Sequence, residues 1–192
     1  MKIVFATNNP NKLKEVQSIL GDKFEILSLK DVNIETDIPE DHETLWENAL
    51  QKAEFIYNMT NLPCFADDTG LEVDALNGAP GVYSARYAGE NATSNENIDK
   101  LLKELGNNTD RKARFKTVIA FVTGKQNHFF EGVCNGQILN SRQGGEGFGY
   151  DPVFMPDGYS VSFAEMSSAE KNKISHRGLA VQKFAKFMRE LS

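Results

Sequence analysis

The chain has 192 residues, of which 40% are hydrophobic and 25% charged, with a formal charge of −6. That length and balance fit one globular domain with a sizeable core, and the negative charge argues against nucleic-acid binding, which needs a broad basic surface. No stretch approaches the roughly 18 apolar residues of a membrane span, and "MKIVFATNN" is too short an apolar run for a secretory signal.

In chain order, "KIVFA" (2–6) reads as a buried strand, and Leu13, Val16, Ile19 and Leu20 mark one face of a helix. Asn9 caps that helix, Pro10 opens its first turn and Gly21 stops it. "FEILSL" (24–29) is a second strand, and a strand, helix, strand opening favours an α/β fold. Leu45, Ala49, Ala53 and Ile56 line a second helix over 45–57, with Thr44 and Glu47 at capping-box spacing. "LEVDAL" (71–76) alternates with period two, the mark of a half-buried strand. Ile98, Leu101, Leu102 and Leu105 define a third helix, begun near Ser94 and ended at Gly106. "FKTVIAFVTG" and "HFFEGVCNGQIL" predict an antiparallel hairpin turned at 124–127. Val181, Phe184, Phe187, Met188 and Leu191 form the apolar face of a closing helix. Cys64 and Cys134 lie in apolar runs without metal-type spacing, as reduced core thiols of a cytoplasmic protein would. No repeat or linker divides the chain, so residues 1–192 form a single domain, with room for two lobes.

Five stretches carry chemistry. "TNNPNK" (Thr7, Asn8, Asn9, Pro10, Asn11, Lys12) lies between a strand and a helix start, where outward N–H groups and the helix dipole welcome an anion. It lacks the glycine pattern of a Walker loop, and a capped helix start with a solvated lysine explains it too. "CFADDTGLEVDAL" sets Asp67 beside Asp68. Asp-Asp-Thr-Gly is good turn chemistry; if the segment stays extended, the two carboxylates point to opposite faces and one enters a cleft, where it suits Mg²⁺. In "PEDHETLWENA" Glu40 has no capping duty, and is either a solvated acid or a further metal ligand. "GGEGFGYDPVF" places Phe148 and Tyr150 around Gly149 ahead of Asp151-Pro152, either as core aromatics or as a platform for a planar base. "SAEKNKISHRG" gathers Lys171, Lys173, His176 and Arg177, either a solvated helix face or an anion-binding group. His176 has no second His or Cys nearby and is not a metal ligand.

Together and in this order, "TNNPNK", "ENA", "ADDTGLEVDALNGAPGVYSARYAG", "GFGYDPVF" and "EKNKISHRG" closely resemble the inosine triphosphate pyrophosphatase family, over nearly the whole chain. The resemblance implies an α/β fold with a mixed central sheet flanked by helices, in two lobes with the active-site groove between them. It implies a homodimer that uses Mg²⁺ to hydrolyse ITP, dITP and XTP to the monophosphate and pyrophosphate, clearing deaminated purines from the nucleotide pool. By the same resemblance, Thr7 to Lys12 match the phosphate-binding turn. Asp68 matches the catalytic carboxylate and metal ligand, Glu40 the second metal-associated acid, and Thr69 a substrate-contacting hydroxyl. Phe148, Gly149, Tyr150 and Asp151 match the base-holding segment, and Lys171, His176 and Arg177 the basic group that reaches the nucleotide, with Arg177 a donor to the purine O6. Lys52 and Arg86 are further candidates for phosphate contacts. The chain departs from the family where "TNNPNK" replaces the common Thr-Gly-Asn, and where "PEDHETL" replaces Glu-x-Gly-x-Thr-Phe. Two rivals share parts of this pattern: a pyrophosphatase for modified pyrimidine nucleotides, and a module that binds nucleotide without cleaving it.

Overall fold

The computed structural model describes residues 2–21 and 24–191. Strand β1 (Lys2–Phe5) runs parallel to both β2 (Glu25–Leu27) and β3 (Cys64–Val73), with Val4 opposite Leu27 on one side and Cys64 on the other. The sheet continues through β5 (Lys112–Val122), β6 (Asn127–Ile138) and β7 (Phe154–Pro156) in the order β2-β1-β3-β5-β6-β7, and the short β4 (Pro80–Gly81) pairs with β3. The β3–β4 and β6–β7 pairs are antiparallel, so the sheet is mixed. Its helices are α1 (Pro10–Leu20), α2 (Leu45–Thr60), α3 (Ser94–Leu105), α4 (Ser168–Ile174) and α5 (His176–Glu190).

The chain folds into two compact units, one of residues 1–68, 117–132 and 177–192, the other of residues 69–116 and 133–176. Each has its own apolar core. In the first, Val16 and Leu20 of α1 and Val181, Phe184 and Met188 of α5 close on Ile3, Phe5, Phe65 and Phe121, and the rings of Phe5 and Phe65 stack 4.4 Å apart. In the second, Ile98, Leu101 and Leu105 of α3 pack with Leu71, Val73, Phe115, Phe154 and Phe163. These are the apolar positions whose 3.6-residue spacing marked the helices.

Helix ends follow the local chemistry. Asn9 caps α1, its side chain accepting from the N–H groups of Asn11 and Lys12. Thr44 accepts from the Glu47 N–H, but the Glu47 carboxylate turns to the Thr44 hydroxyl rather than to the backbone. Several expected boundaries move. The second strand stops at Leu27, and a 3-10 turn takes Lys30–Val32. Helix α2 runs on to Thr60. "LEVDAL" is not one strand: Leu71 to Val73 end β3, and Asp74–Leu76 form a 3-10 turn. Of the two readings of Asp-Asp-Thr-Gly, a turn or an extended segment, the structure has the extended one, with both aspartates inside β3. A strand buried on both faces carries no alternation to reveal it.

Candidate active site

Asp67 and Asp68 are 2% and 7% exposed, and they hydrogen-bond to different cations. Asp67 Oδ1 accepts from Lys12 Nζ at 3.0 Å, and its Oδ2 from Arg177 Nε at 3.1 Å. Arg177 Nη1 in turn donates to Glu15 Oε2 at 2.5 Å, so two cations face two carboxylates in this part. Asp68 Oδ1 accepts from Lys52 Nζ at 3.0 Å, and the same ammonium donates to Glu40 Oε1 at 2.5 Å. Here one ammonium bridges two carboxylates. Asp68 Oδ2 is buried without a hydrogen-bond partner.

Helix α2 holds the segment that carries Glu40. The buried Asn48 accepts from the His42 N–H at 2.9 Å and donates to the His42 carbonyl at 3.1 Å. One turn on, Gln51 accepts from the Asp41 N–H and donates to the Asp41 carboxylate. Lys52, adjacent in sequence to Gln51, completes the clasp on Glu40 itself. All of these residues, with Thr7 to Lys12, belong to the first unit.

Charge and burial push the aspartates in opposite directions. Burial alone would raise Asp67, but Lys12 and Arg177 overcome it and hold the carboxyl well below the usual range. Asp68 is pushed up, by burial first and by the neighbouring Glu40, against the pull of Lys52. Burial would lower Lys52, yet Asp68 and Glu40 raise it. Lys12 is lowered by its burial in spite of Asp67.

A second polar group lies in the other unit. Asp151, 3% exposed, accepts on Oδ2 from the Phe148 N–H at 2.9 Å and from Lys171 Nζ at 2.7 Å. The Lys171 ammonium sits 5.0 Å from the centre of the Phe148 ring, within cation–π range. Gly147 makes room for this arrangement. Its φ is +79°, and a Cβ there would lie 2.2 Å from Asp151 Oδ2. Tyr150 is buried and donates its hydroxyl to the Ser84 carbonyl at 2.7 Å. His176 is buried with its ring stacked 4.4 Å from Phe115.

The structure therefore gathers Lys12, Glu40, Asp68 and Arg177 with Lys52 in one unit, and Phe148, Asp151, Lys171 and His176 in the other. Thr69 is half-buried in β3, and Gly149 precedes Tyr150 with a φ of +62°. The basic run is not a solvated face, since Lys171 and Arg177 are buried and Lys173 alone of the four is exposed. Two of the N–H groups offered to an anion, those of Asn11 and Lys12, bond to the Asn9 side chain. Arg86 lies 3.9 Å from Glu90. Both cysteines are free and buried, and burial raises the Cys134 thiol to about 11. Sequence reasoning missed Glu15, whose one signal is its place three residues after Lys12 on the same helix face.

Residues 3–187 match the model of the Ham1 family. The chain is 53% identical over 189 residues to a protein named dITP/XTP pyrophosphatase from Christiangramia forsetii, covering 98% of this chain and 99% of that one. It is also 53% identical to a protein of the same name from Porphyromonas gingivalis, covering 97% of each. The structure of the Staphylococcus aureus Ham1 protein superposes with a TM-score of 0.91 at 38% identity, over the full length of both chains.

Proposed function

Because the chain belongs to the Ham1 family, we propose that it hydrolyses non-standard purine nucleoside triphosphates, dITP, ITP and XTP, to the monophosphate and pyrophosphate, with Mg²⁺ as cofactor. The observation that carries this is the Glu40–Lys52–Asp68 cluster, in which one ammonium bridges two carboxylates and Asp68 Oδ2 has no hydrogen-bond partner. Magnesium takes oxygen ligands, and one or two carboxylates suffice when water and phosphate supply the rest. No group of three or more His, Cys, Asp or Glu that could hold a metal occurs among the described residues. Glu40 and Asp68 would hold the ion. When bound, it supplies charge neutralisation for the triphosphate and polarises the phosphoryl oxygens.

The remaining work falls to the chain. Asp68, with a raised proton affinity and one buried oxygen uncommitted to any hydrogen bond, orients and deprotonates a water directed at the α-phosphorus. Thr7 to Lys12 and Thr69 bind the phosphates, aided by Lys52. Phe148 to Asp151 hold the base, with Lys171 as the donor nearest that segment. Hypoxanthine and xanthine present an acceptor O6 where adenine presents an amine, and a donor that finds no acceptor rejects the wrong base strongly. Arg177, expected to be that donor, has Nε on Asp67 and Nη1 on Glu15, and Lys171 has its Nζ on Asp151, so each holds a carboxylate that the base would have to compete with.

The relatives' printed name, dITP/XTP pyrophosphatase, supports the substrate class; the clearing of deaminated purines and a cytoplasmic place follow from the family resemblance. No helix of the described residues is long and apolar enough to cross a membrane. The family resemblance further implies a homodimer. Turnover measured side by side on dITP, XTP, GTP and a modified dUTP tests the reading. Purine selectivity with at least about tenfold preference for dITP over GTP is expected; preference for the modified pyrimidine would overturn it in favour of the rival pyrophosphatase, and binding without cleavage in favour of a nucleotide sensor.

A further inference from the structure

We propose that Lys52 is a resident counter-ion that keeps the Glu40–Asp68 pair closed to divalent cations until a polyphosphate draws it away. This rests on the reading that those two carboxylates take the cation. The Lys52 side chain is 6% exposed, and its ammonium bonds to Glu40 Oε1 and Asp68 Oδ1 at once. It thus sits where a shared cation would have to sit, and uses one oxygen of each candidate ligand.

The neighbouring cluster cannot serve the same purpose. Asp67 and Glu15 are matched by Lys12 and Arg177, two carboxylates to two cations. Asp68 Oδ2, buried without a hydrogen-bond partner, leaves the pair an attraction for positive charge that the Lys52 ammonium does not exhaust. A divalent ion arriving alone meets that ammonium at close range, and the repulsion opposes entry. An arriving triphosphate reverses the balance. It offers Lys52 a stronger anion, and the flexible four-carbon stem lets the ammonium follow it. Both oxygens are then released when substrate is present to complete the metal's shell. The consequence is ordered uptake, with the metal bound tightly only in company with nucleotide.

The test is a calorimetric Mg²⁺ titration of the full chain without nucleotide, paired with thermal denaturation against Mg²⁺ concentration. Wild type is expected to bind weakly. Lys52→Met should bind Mg²⁺ about tenfold or more tightly, and Lys52→Arg, which keeps the charge, should stay as weak as wild type. If Lys52→Met does not fold, Lys52→Gln, which keeps a donor without the charge, carries the same expectation. Equal affinity in the wild-type and uncharged variants, or tightening in Lys52→Arg as well, would overturn the proposal. A control arm adds the non-hydrolysable α,β-methylene analogue of dITP to wild type. If Mg²⁺ is taken up there while the uncharged variants gain nothing without nucleotide, the counter-ion role alone fails. If no Mg²⁺ is taken up in any arm, the metal site itself fails, and this inference with it.

Discussion

Asp67 and Asp68 are adjacent in sequence and opposite in energetics. Asp67 is a fully compensated buried anion. Replacing it by Asn takes the carboxylate from Lys12 and leaves Arg177 to Glu15, and breaking a buried ion pair costs about 3–5 kcal/mol, so Asp67→Asn should lower the melting temperature by roughly 6 to 20 °C. The sign with pH follows from its depressed proton affinity: its contribution is complete above the ordinary carboxylate pKa of about 4 and is lost as pH falls toward the lower folded value. A denaturation series from pH 7 to pH 3 should show wild-type stability falling and the variant falling less. Asp68 is instead an anion held against its burial. Asp68→Asn keeps an acceptor for Lys52 and removes an uncompensated charge, so its melting temperature should equal or exceed that of wild type while turnover falls by about 100-fold or more. A loss of stability matching that of Asp67→Asn would show that Asp68 is structural. The residue types were legible in the sequence, but the division of labour was not, since it depends on which cations three separate helices deliver.

At the scale of elements, helix α2 is the clasp of the first unit and the loop over 144–151 the scaffold of the second. Asn48 is buried with its side chain spent on both polar groups of the His42 backbone. Asn48→Ala leaves those groups unpaired, costing about 1–3 kcal/mol, and should raise the Mg²⁺ concentration needed for half-maximal rate, because Glu40 loses its support. In the loop, Gly147→Ala places a Cβ against the Asp151 carboxylate at a positive φ. It should raise KM for dITP several-fold with kcat little changed, since the base-holding group would shift while the Asp68 cluster stays intact. A fall in kcat at constant KM would contradict that assignment. Helix periodicity, caps and the hairpin were readable because each is a local pattern. Strand β3 was readable only at its end, in "LEV", since both faces of its first half are buried, and the clasp was not, because "PEDHETLWENA" shows a cap while hiding that Asn48, Gln51 and Lys52 reach back over the preceding loop.

Over the whole molecule, the two units are interleaved in sequence, the chain passing between them at the Asp68–Thr69, Lys116–Thr117, Gly132–Val133 and His176–Arg177 bonds. Two of those bonds fall inside the motifs that carry the family resemblance, so Asp68 with Thr69, and His176 with Arg177, are read as single stretches although they belong to different units. This is why the combination of motifs spoke for the family more clearly than any one of them did. The proposed homodimer predicts a light-scattering mass twice that of the 192-residue chain; a monomer across micromolar concentrations would exclude it. The central claim is that acidic oxygens in the first unit recruit a divalent cation to cut between the α and β phosphates. Phosphorus NMR of purified protein with dITP addresses it most directly. The account predicts equal amounts of dIMP and pyrophosphate with Mg²⁺ and no reaction once the ion is chelated, whereas dIDP with orthophosphate, or cleavage indifferent to chelation, would contradict it.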